Sequence, residues 1–282
     1  MCIIVGATRM TIFFLGTGAA EGFPAIFSDD PINLEARRRG GKDLRTRSTI
    51  LIDERVKIDL PPDTLFHVFR YPDLHLARLE HLLFTHSHDD HFAVRELQYL
   101  SPNFAPDRKD PLHVWATDEL VRKMYGEMAH FFEPAPLLFH AIEPFVTRKI
   151  GHLNVTPITA HHKRDELCLN YVVESEGKFL LYASDTGWYD PPTWEFLAGV
   201  RLDAAIVECG KGLSTNAYDG HLGLDECALF RERLLECGTL DAATPFYLTH
   251  ICHTGGLLHD ELSARCVPLG IQVAYDGLEL VI

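Results

Sequence analysis

Residues 81 to 91 read His81-Leu82-Leu83-Phe84-Thr85-His86-Ser87-His88-Asp89-Asp90-His91, an apolar run that breaks into three histidines and two aspartates within six residues. The stretch 81 to 85 has the length and residue types of a short buried strand, which places the polar cluster in the loop at its end. Neutral imidazoles and carboxylates are ligand types of zinc, manganese, iron and nickel. One short loop cannot wrap His86, His88, Asp90 and His91 around a single ion, so the spacing points to two adjacent metals. The plainer alternative is a solvated polar loop.

Moving outward, four more apolar, β-prone runs end in a histidine or an aspartate. They are Lys57-Ile58-Asp59, Val155 to Ala160 before His161-His162, Phe179 to Ser184 before Asp185, and Phe246 to Thr249 before His250. Strand ends converge on one edge of a sheet, where α/β folds collect ligands and catalytic groups. A lone histidine such as His250 is as readily a core or surface residue; the joint pattern carries the argument.

The rest of the chain alternates in the same rhythm. Strands are predicted at 11 to 15, 48 to 52, 56 to 60, 112 to 116, 137 to 142, 152 to 159, 168 to 174, 178 to 183, 203 to 208 and 245 to 249, with two more around Tyr275-Asp276-Gly277. Helices are predicted at 63 to 69, 92 to 100, 118 to 131, 223 to 237 and 257 to 266. Residues 28 to 47, polar and rich in arginine with Gly40-Gly41, read as a long loop. No internal repeat or low-complexity linker divides the chain, so residues 10 to 282 are expected to form one α/β domain. Residues 1 to 9 read as an N-terminal extension, with Met10 an alternative start.

Composition narrows the function. The 282 residues include 26 Lys plus Arg against 40 Asp plus Glu, a formal charge of -14 that would repel a long nucleic acid. No apolar run approaches the roughly 20 residues of a membrane helix. The start lacks the pattern of a secretory signal. Seven cysteines without a C-x-x-C pair argue against a disulfide framework. The expectation is a cytoplasmic protein that meets neither membrane nor long nucleic acid.

The sequence Thr85 to His91 after a hydrophobic strand resembles the signature of the metallo-β-lactamase superfamily. The resemblance implies an α/β fold of four αββα layers, two mixed β-sheets packed face to face between helices, with two metals at one edge. It assigns His86, His88 and a later histidine to the first metal. Related chains read A-x-H there, which favours His162 over His161. It assigns Asp90, His91 and His250 to the second metal, Asp185 with a water or hydroxide as the bridge, and Asp59 to orienting the metal loop from behind. The implied cofactors are two divalent ions, zinc or manganese first, iron or nickel as alternatives. Two such ions about 3.5 to 4 Å apart make a water nucleophilic near neutral pH, so hydrolysis is the expected reaction. No G-x-S-x-G elbow offers a competing nucleophile.

Within that superfamily, Leu15-Gly16-Thr17-Gly18 to Pro24, Arg45-Thr46-Arg47-Ser48, Thr249 to His253 and Ala274 to Gly277 look like the cyclic phosphodiesterases of phosphonate breakdown (PhnP type). That likeness implies a small, cyclic phosphate ester as substrate and places His221, in Gly220-His221-Leu222-Gly223, where a histidine protonates the leaving oxygen. Asp90, as a metal ligand, and His221, as general acid, are then the catalytic pair; a surface or helix-start role is the alternative for His221. The family's cysteine-rich zinc loop is missing, since residues 23 to 47 contain no cysteine. Either that loop is held differently or the chain belongs to a sister group with another substrate. Arg45 and Arg47 are candidate phosphate contacts and Trp188 a candidate wall of the site mouth. Glu208 ends a strand and either touches the site or caps a turn. Trp115 and Trp194 read as packing residues and Cys209 as inert.

Three other functions stay open at this stage. The same chemistry would hydrolyse a lactone, thioester or β-lactam. A nuclease that trims tRNA 3' ends would want a long tRNA-binding insertion, and none is present. A non-catalytic, coenzyme-biosynthesis carrier-like protein would keep the metals without turnover. Oligomeric state is also open, a homodimer included.

Overall fold

The computed structural model describes residues 9 to 282, so the extension read over residues 1 to 9 lies, apart from Arg9, outside the described residues. The chain opens with β1 (Thr11–Gly16), α1 (Pro31–Arg39), β2 (Thr49–Ile52), β3 (Val56–Ile58), α2 (Thr64–Arg70) and β4 (His81–Leu83). It continues with β5 (Leu112–Ala116), α3 (Asp118–Met128) and β6 (Leu137–Ala141). The second half contains β7 (Arg148–Ile150), β8 (Leu153–Thr159), β9 (Leu169–Ser175), β10 (Lys178–Ala183), α4 (Pro191–Leu197) and β11 (Ala204–Glu208). Then follow α5 (Leu224–Glu236), β12 (Phe246–Thr249), α6 (His259–Cys266), β13 (Gln272–Val273) and β14 (Glu279–Val281).

Two seven-stranded mixed sheets result, in the orders β14-β1-β2-β3-β4-β5-β6 and β13-β12-β11-β10-β9-β8-β7. Each runs antiparallel at one end and parallel at the other. In the first sheet β3 to β6 are parallel, and in the second β10 to β13. Parallel strands end on the same edge, so Asp59 after β3 and the loop after β4 emerge together, as do Asp185, Glu208 and His250 at the ends of β10, β11 and β12.

The sheets meet through Ile12, Phe14, Ile50, Ile58 and Leu83 on one side and Val155, Tyr171, Val173, Leu180, Tyr182 and Ile206 on the other, all buried. Each such side chain contributes about 2 kcal/mol relative to exposure. This interface holds the strand ends of the two sheets in register with each other. Leu120, Val121 and Met124 of α3 cover the outer face of the first sheet over Leu82 and Val114. Trp194 and Leu197 of α4, Phe230 and Leu234 of α5 and Leu262 of α6 cover the second over Leu181, Val207 and Leu248. The order helix, sheet, sheet, helix is the four-layer sandwich expected from the sequence. No helix among the described residues is long and apolar enough to cross a membrane.

Some expectations need correction. Residues 31 to 39, read as part of a loop, form α1, capped by the Asp30 side chain that accepts from Asn33 N–H at 3.2 Å and started by Pro31. Proline is pre-organised for a first helical turn, and Arg37, Arg38 and Arg39 lie in the last turn, where the helix dipole favours positive charge. Arginine-rich composition hid these end signals. The Asp190-Pro191 start of α4 and the strand β7 were likewise not anticipated. Residues 94 to 100 form tight 3-10 turns in place of the helix expected at 92 to 100.

Candidate metal centre

The site is assembled at the strand ends, three of which adopt left-handed backbone. Asp59, Asp185 and His250 have φ of 66°, 51° and 55°. This region costs a non-glycine residue roughly 1 to 3 kcal/mol and persists where surrounding contacts fix it. Each turn swings its side chain off the strand line and across the sheet edge.

Asp59 shows how. Its carboxylate accepts the Thr85 N–H at 2.8 Å, the Thr85 hydroxyl at 2.9 Å and His91 Nδ1–H at 2.7 Å. Thr85 Oγ1 has spent its only hydrogen on Asp59, so at 2.9 Å it accepts from His86 Nδ1–H. His162 donates its Nδ1–H to the Gly220 carbonyl at 2.8 Å. In these three rings an acceptor holds the outer nitrogen and Nε2 turns inward, bare in His86 and His162, whose rings burial keeps neutral.

Those two nitrogens both face His88 Nδ1, which has a single hydrogen to give and can satisfy only one of them. His86 Nε2 lies 2.9 Å, and His162 Nε2 3.0 Å, from His88 Nδ1. Asp185 Oδ2 stands 3.6, 3.5 and 3.3 Å from Nε2 of His86, His162 and His91, while Oδ1 is 2.9 Å from His250 Nδ1. Asp90 Oδ2 is 3.0 Å from His91 Nε2. Yet Asp90 Oδ2, His91 Nε2 and His250 Nδ1 are buried without a well-aligned hydrogen bond. Lone pairs gathered this closely in a dry place repel unless a cation lies among them. Two groups at this edge gather such atoms, His86, His88, His162 and Asp185, then Asp90, His91, Asp185 and His250, each with ligand atoms within 4.8 Å of one another. Asp185 belongs to both. The donor set fits two divalent ions of the zinc or manganese kind.

Electrostatics agree. Burial lowers the pKa of His86, His88 and His162, keeping these rings neutral and ready to ligate. Burial opposes charge on His91 as well, but Asp185, Asp90 and Asp59 outweigh it and hold its pKa well above the usual histidine range. In the absence of an ion the carboxylates thus draw in a proton, which a metal would displace.

His221 lies beside this cluster, its ring 4.8 Å from that of His162 and stacked 5.4 Å from that of His250. Burial pulls its pKa down, but Glu208, with Asp185 and Asp90 beyond, lifts it to about 9. Glu208 is fully buried and accepts from His221 Nδ1 at 2.7 Å, Thr186 N–H at 3.1 Å and Gly210 N–H at 2.5 Å. The sequence left Glu208 between two roles, although it too ends a β-prone run. Beneath Asp59, the buried Lys57 ammonium donates to Thr49 Oγ1 at 2.6 Å and to the Asp59 carbonyl.

The structure brings His86, His88, Asp90, His91, His162, Asp185, His250 and His221 together, with Asp59 behind them. His161 turns away toward Asp190 and Asp219, at 3.5 and 3.6 Å. Arg45 is buried and does not face the cluster: its guanidinium donates to Thr17 Oγ1 at 2.8 Å and the Ala274 carbonyl at 2.6 Å, beside His259 Nδ1 at 3.0 Å. Arg47 is engaged by Asp63 at 3.0 Å and the Ala20 carbonyl at 2.9 Å. Trp188 is 42% exposed and packs on Trp194 and Phe230.

Comparison with known proteins completes the picture. The beta-lactamase superfamily domain matches residues 54 to 251. No curated protein matches the sequence. Among solved structures, a diphosphatase from the PhnP family is similar at 23% identity and a TM-score of 0.76, covering 96% of this chain and 97% of that one. Zinc-bound PqqB from Methylobacterium extorquens follows at 19% and 0.73, covering 96% and 99%. The short form of human tRNase Z has 15% and 0.67, covering 96% and 98%. At these identities the likeness is one of fold.

Proposed function

Because this chain belongs to the beta-lactamase superfamily and gathers such a cluster, we propose that it is a metal-dependent hydrolase that cleaves a small phosphodiester, cyclic esters included, with two divalent ions. His86, His88 and His162 would hold the first ion, Asp90, His91 and His250 the second, with Asp185 within reach of both. When bound, the ion pair supplies a water activated near neutral pH and positive charge facing the attacked phosphorus. Zinc and manganese are the ions to try first, and the unpaired state of the six described cysteines suits a reducing compartment such as the cytoplasm.

The observation that carries the phosphodiester reading is the His221–Glu208 pair. An alkoxide leaving from phosphorus is a strong base and departs poorly without a proton. His221 offers its Nε2 hydrogen at the edge of the cluster while Glu208 fixes Nδ1 and favours the protonated ring. Asp59 keeps the metal loop and the His91 ring in place. A fold neighbour described as a diphosphatase adds weight to phosphorus as the centre attacked.

The test is hydrolysis of bis-p-nitrophenyl phosphate and a ribose cyclic phosphate by zinc- or manganese-loaded protein, beside a lactone and a β-lactam, with Asp185→Ala as blank. Phosphodiester turnover that vanishes in the blank supports the proposal. Turnover confined to the carbonyl substrates replaces it with the lactonase reading. Two metals bound with no turnover on any ester favours a carrier-like protein.

A further inference from the structure

One buried carboxylate outside the ligand set touches the metal loop. Glu166 lies in the segment after His162, and its side chain has no exposed surface. It accepts the Ser87 N–H at 2.7 Å, the Ser87 hydroxyl, Lys123 Nζ at 2.6 Å and Lys163 Nζ at 3.0 Å. The two ammoniums also reach Ser87 Oγ, at 3.2 and 3.3 Å. Ser87 stands between His86 and His88, Lys163 follows His162, and Lys123 lies on α3. Three segments that are far apart in sequence therefore meet on one carboxylate, and two of them supply ligands to the same ion.

We infer that Glu166 is a positioning residue that joins the segment of His162 to the loop of His86 and His88 and so sets the spacing of these three imidazoles before an ion arrives. The Ser87 N–H belongs to the peptide that joins Ser87 to His86. Pinning it fixes the backbone direction between the two ring-bearing residues. Asp59 braces the start of the loop and His91; Glu166 braces its middle and ties it to the other sheet. Lys123 also reaches Glu119 at 3.2 Å and Lys163 lies 3.9 Å from Asp165, so loss of Glu166 would remove one negative charge near His88 and act through charge as well as through geometry. Groups that orient metal ligands from behind are typically worth tenfold to a hundredfold in metal affinity.

This inference rests on the reading of the cluster as a metal site, and the experiment separates the two. Stepwise metal affinities of wild type, Glu166→Gln and the charge-restoring double variant Glu166→Gln/Lys163→Met are measured by chelator competition, with the visible spectrum of the cobalt-loaded protein as a report on ligand geometry. The expected result is a loss of about tenfold or more at one of the two sites, with altered cobalt bands, in both variants. Wild-type affinity and bands in the single variant, or their recovery in the double variant, would overturn it. Imidazole NMR of the metal-free protein is read in parallel. Displaced His86, His88 and His162 resonances with His250 unmoved are expected, and an unchanged spectrum overturns the inference even if the wild type binds no metal. Should Glu166→Gln not fold, Glu166→Asp, which keeps the charge but withdraws the carboxylate from the Ser87 N–H by one methylene, is read in the same two ways.

Discussion

His221 Nδ1 lies 2.7 Å from Glu208 Oε1, and Glu208 is in turn fixed by the backbone N–H groups of Thr186 and Gly210. The pair orients one ring nitrogen and leaves the other to the site, as a proton donor requires. His221→Ala is expected to lower kcat on an alkoxide-releasing ribose cyclic phosphate by about 10² to 10⁴, the usual worth of a positioned acid. p-Nitrophenolate leaves without a proton, so the loss on bis-p-nitrophenyl phosphate should be far smaller. Glu208→Gln should follow His221→Ala in the same direction. Equal losses on both substrates would contradict the acid role.

Asp59 accepts from Thr85 and His91 at the back of the loop. Asp59→Ala leaves the His91 Nδ1–H without an acceptor and frees His86 from its tautomer. Metal affinity should fall tenfold to a hundredfold by chelator competition, and urea unfolding should lose about 1 to 3 kcal/mol from buried donors left unpaired.

Lys57 is fully buried, and burial lowers its pKa to about 7 against an ordinary 10.5, with Asp59 and Asp63 opposing. Between these values the unfolded chain holds a proton that the folded chain lacks, so folding stability gains with rising pH. Relative to Lys57→Met, the wild type should gain stability from about pH 7 to about pH 10.5, by up to about 1.4 kcal/mol per pH unit. Urea midpoints of both proteins across that range check it; a constant difference would mean that Lys57 titrates normally in the fold.

The strand ends were readable because buried strands are short apolar runs and their last residues, Asp59, Asp185 and His250, break the pattern with chemistry-bearing side chains. Ligand residue types were therefore visible one by one. What the sequence could not carry is direction: whether His161 or His162 turns inward depends on the Gly220 carbonyl 58 residues away. Glu208 and Glu166 were obscure for the same reason, since their partners His221 and Ser87 lie 13 and 79 residues distant. Residues 28 to 47 misled through composition. Arginines there suggested phosphate contacts, whereas the fold uses Arg45 to join Thr17 and Ala274 and uses Arg38 and Arg39 to pair with Glu35 on α1.

Arg45 offers a direct check of that difference. Arg45→Ala removes a buried guanidinium beside the buried Asp276, and removal of one member of such a network is expected to cost about 3 to 5 kcal/mol in urea unfolding. KM of the folded fraction should stay near the wild-type value. A large rise in KM with stability intact would restore Arg45 as a substrate contact.

Phosphodiester hydrolysis driven by two ions held by Asp185 and its neighbours is the proposed activity. Its most direct measurement is the rate of bis-p-nitrophenyl phosphate hydrolysis by metal-stripped protein titrated with zinc or manganese. The rate should climb to a plateau at two equivalents per chain and be absent at every loading in Asp185→Ala. No turnover at any loading, or a plateau at one equivalent, would contradict it.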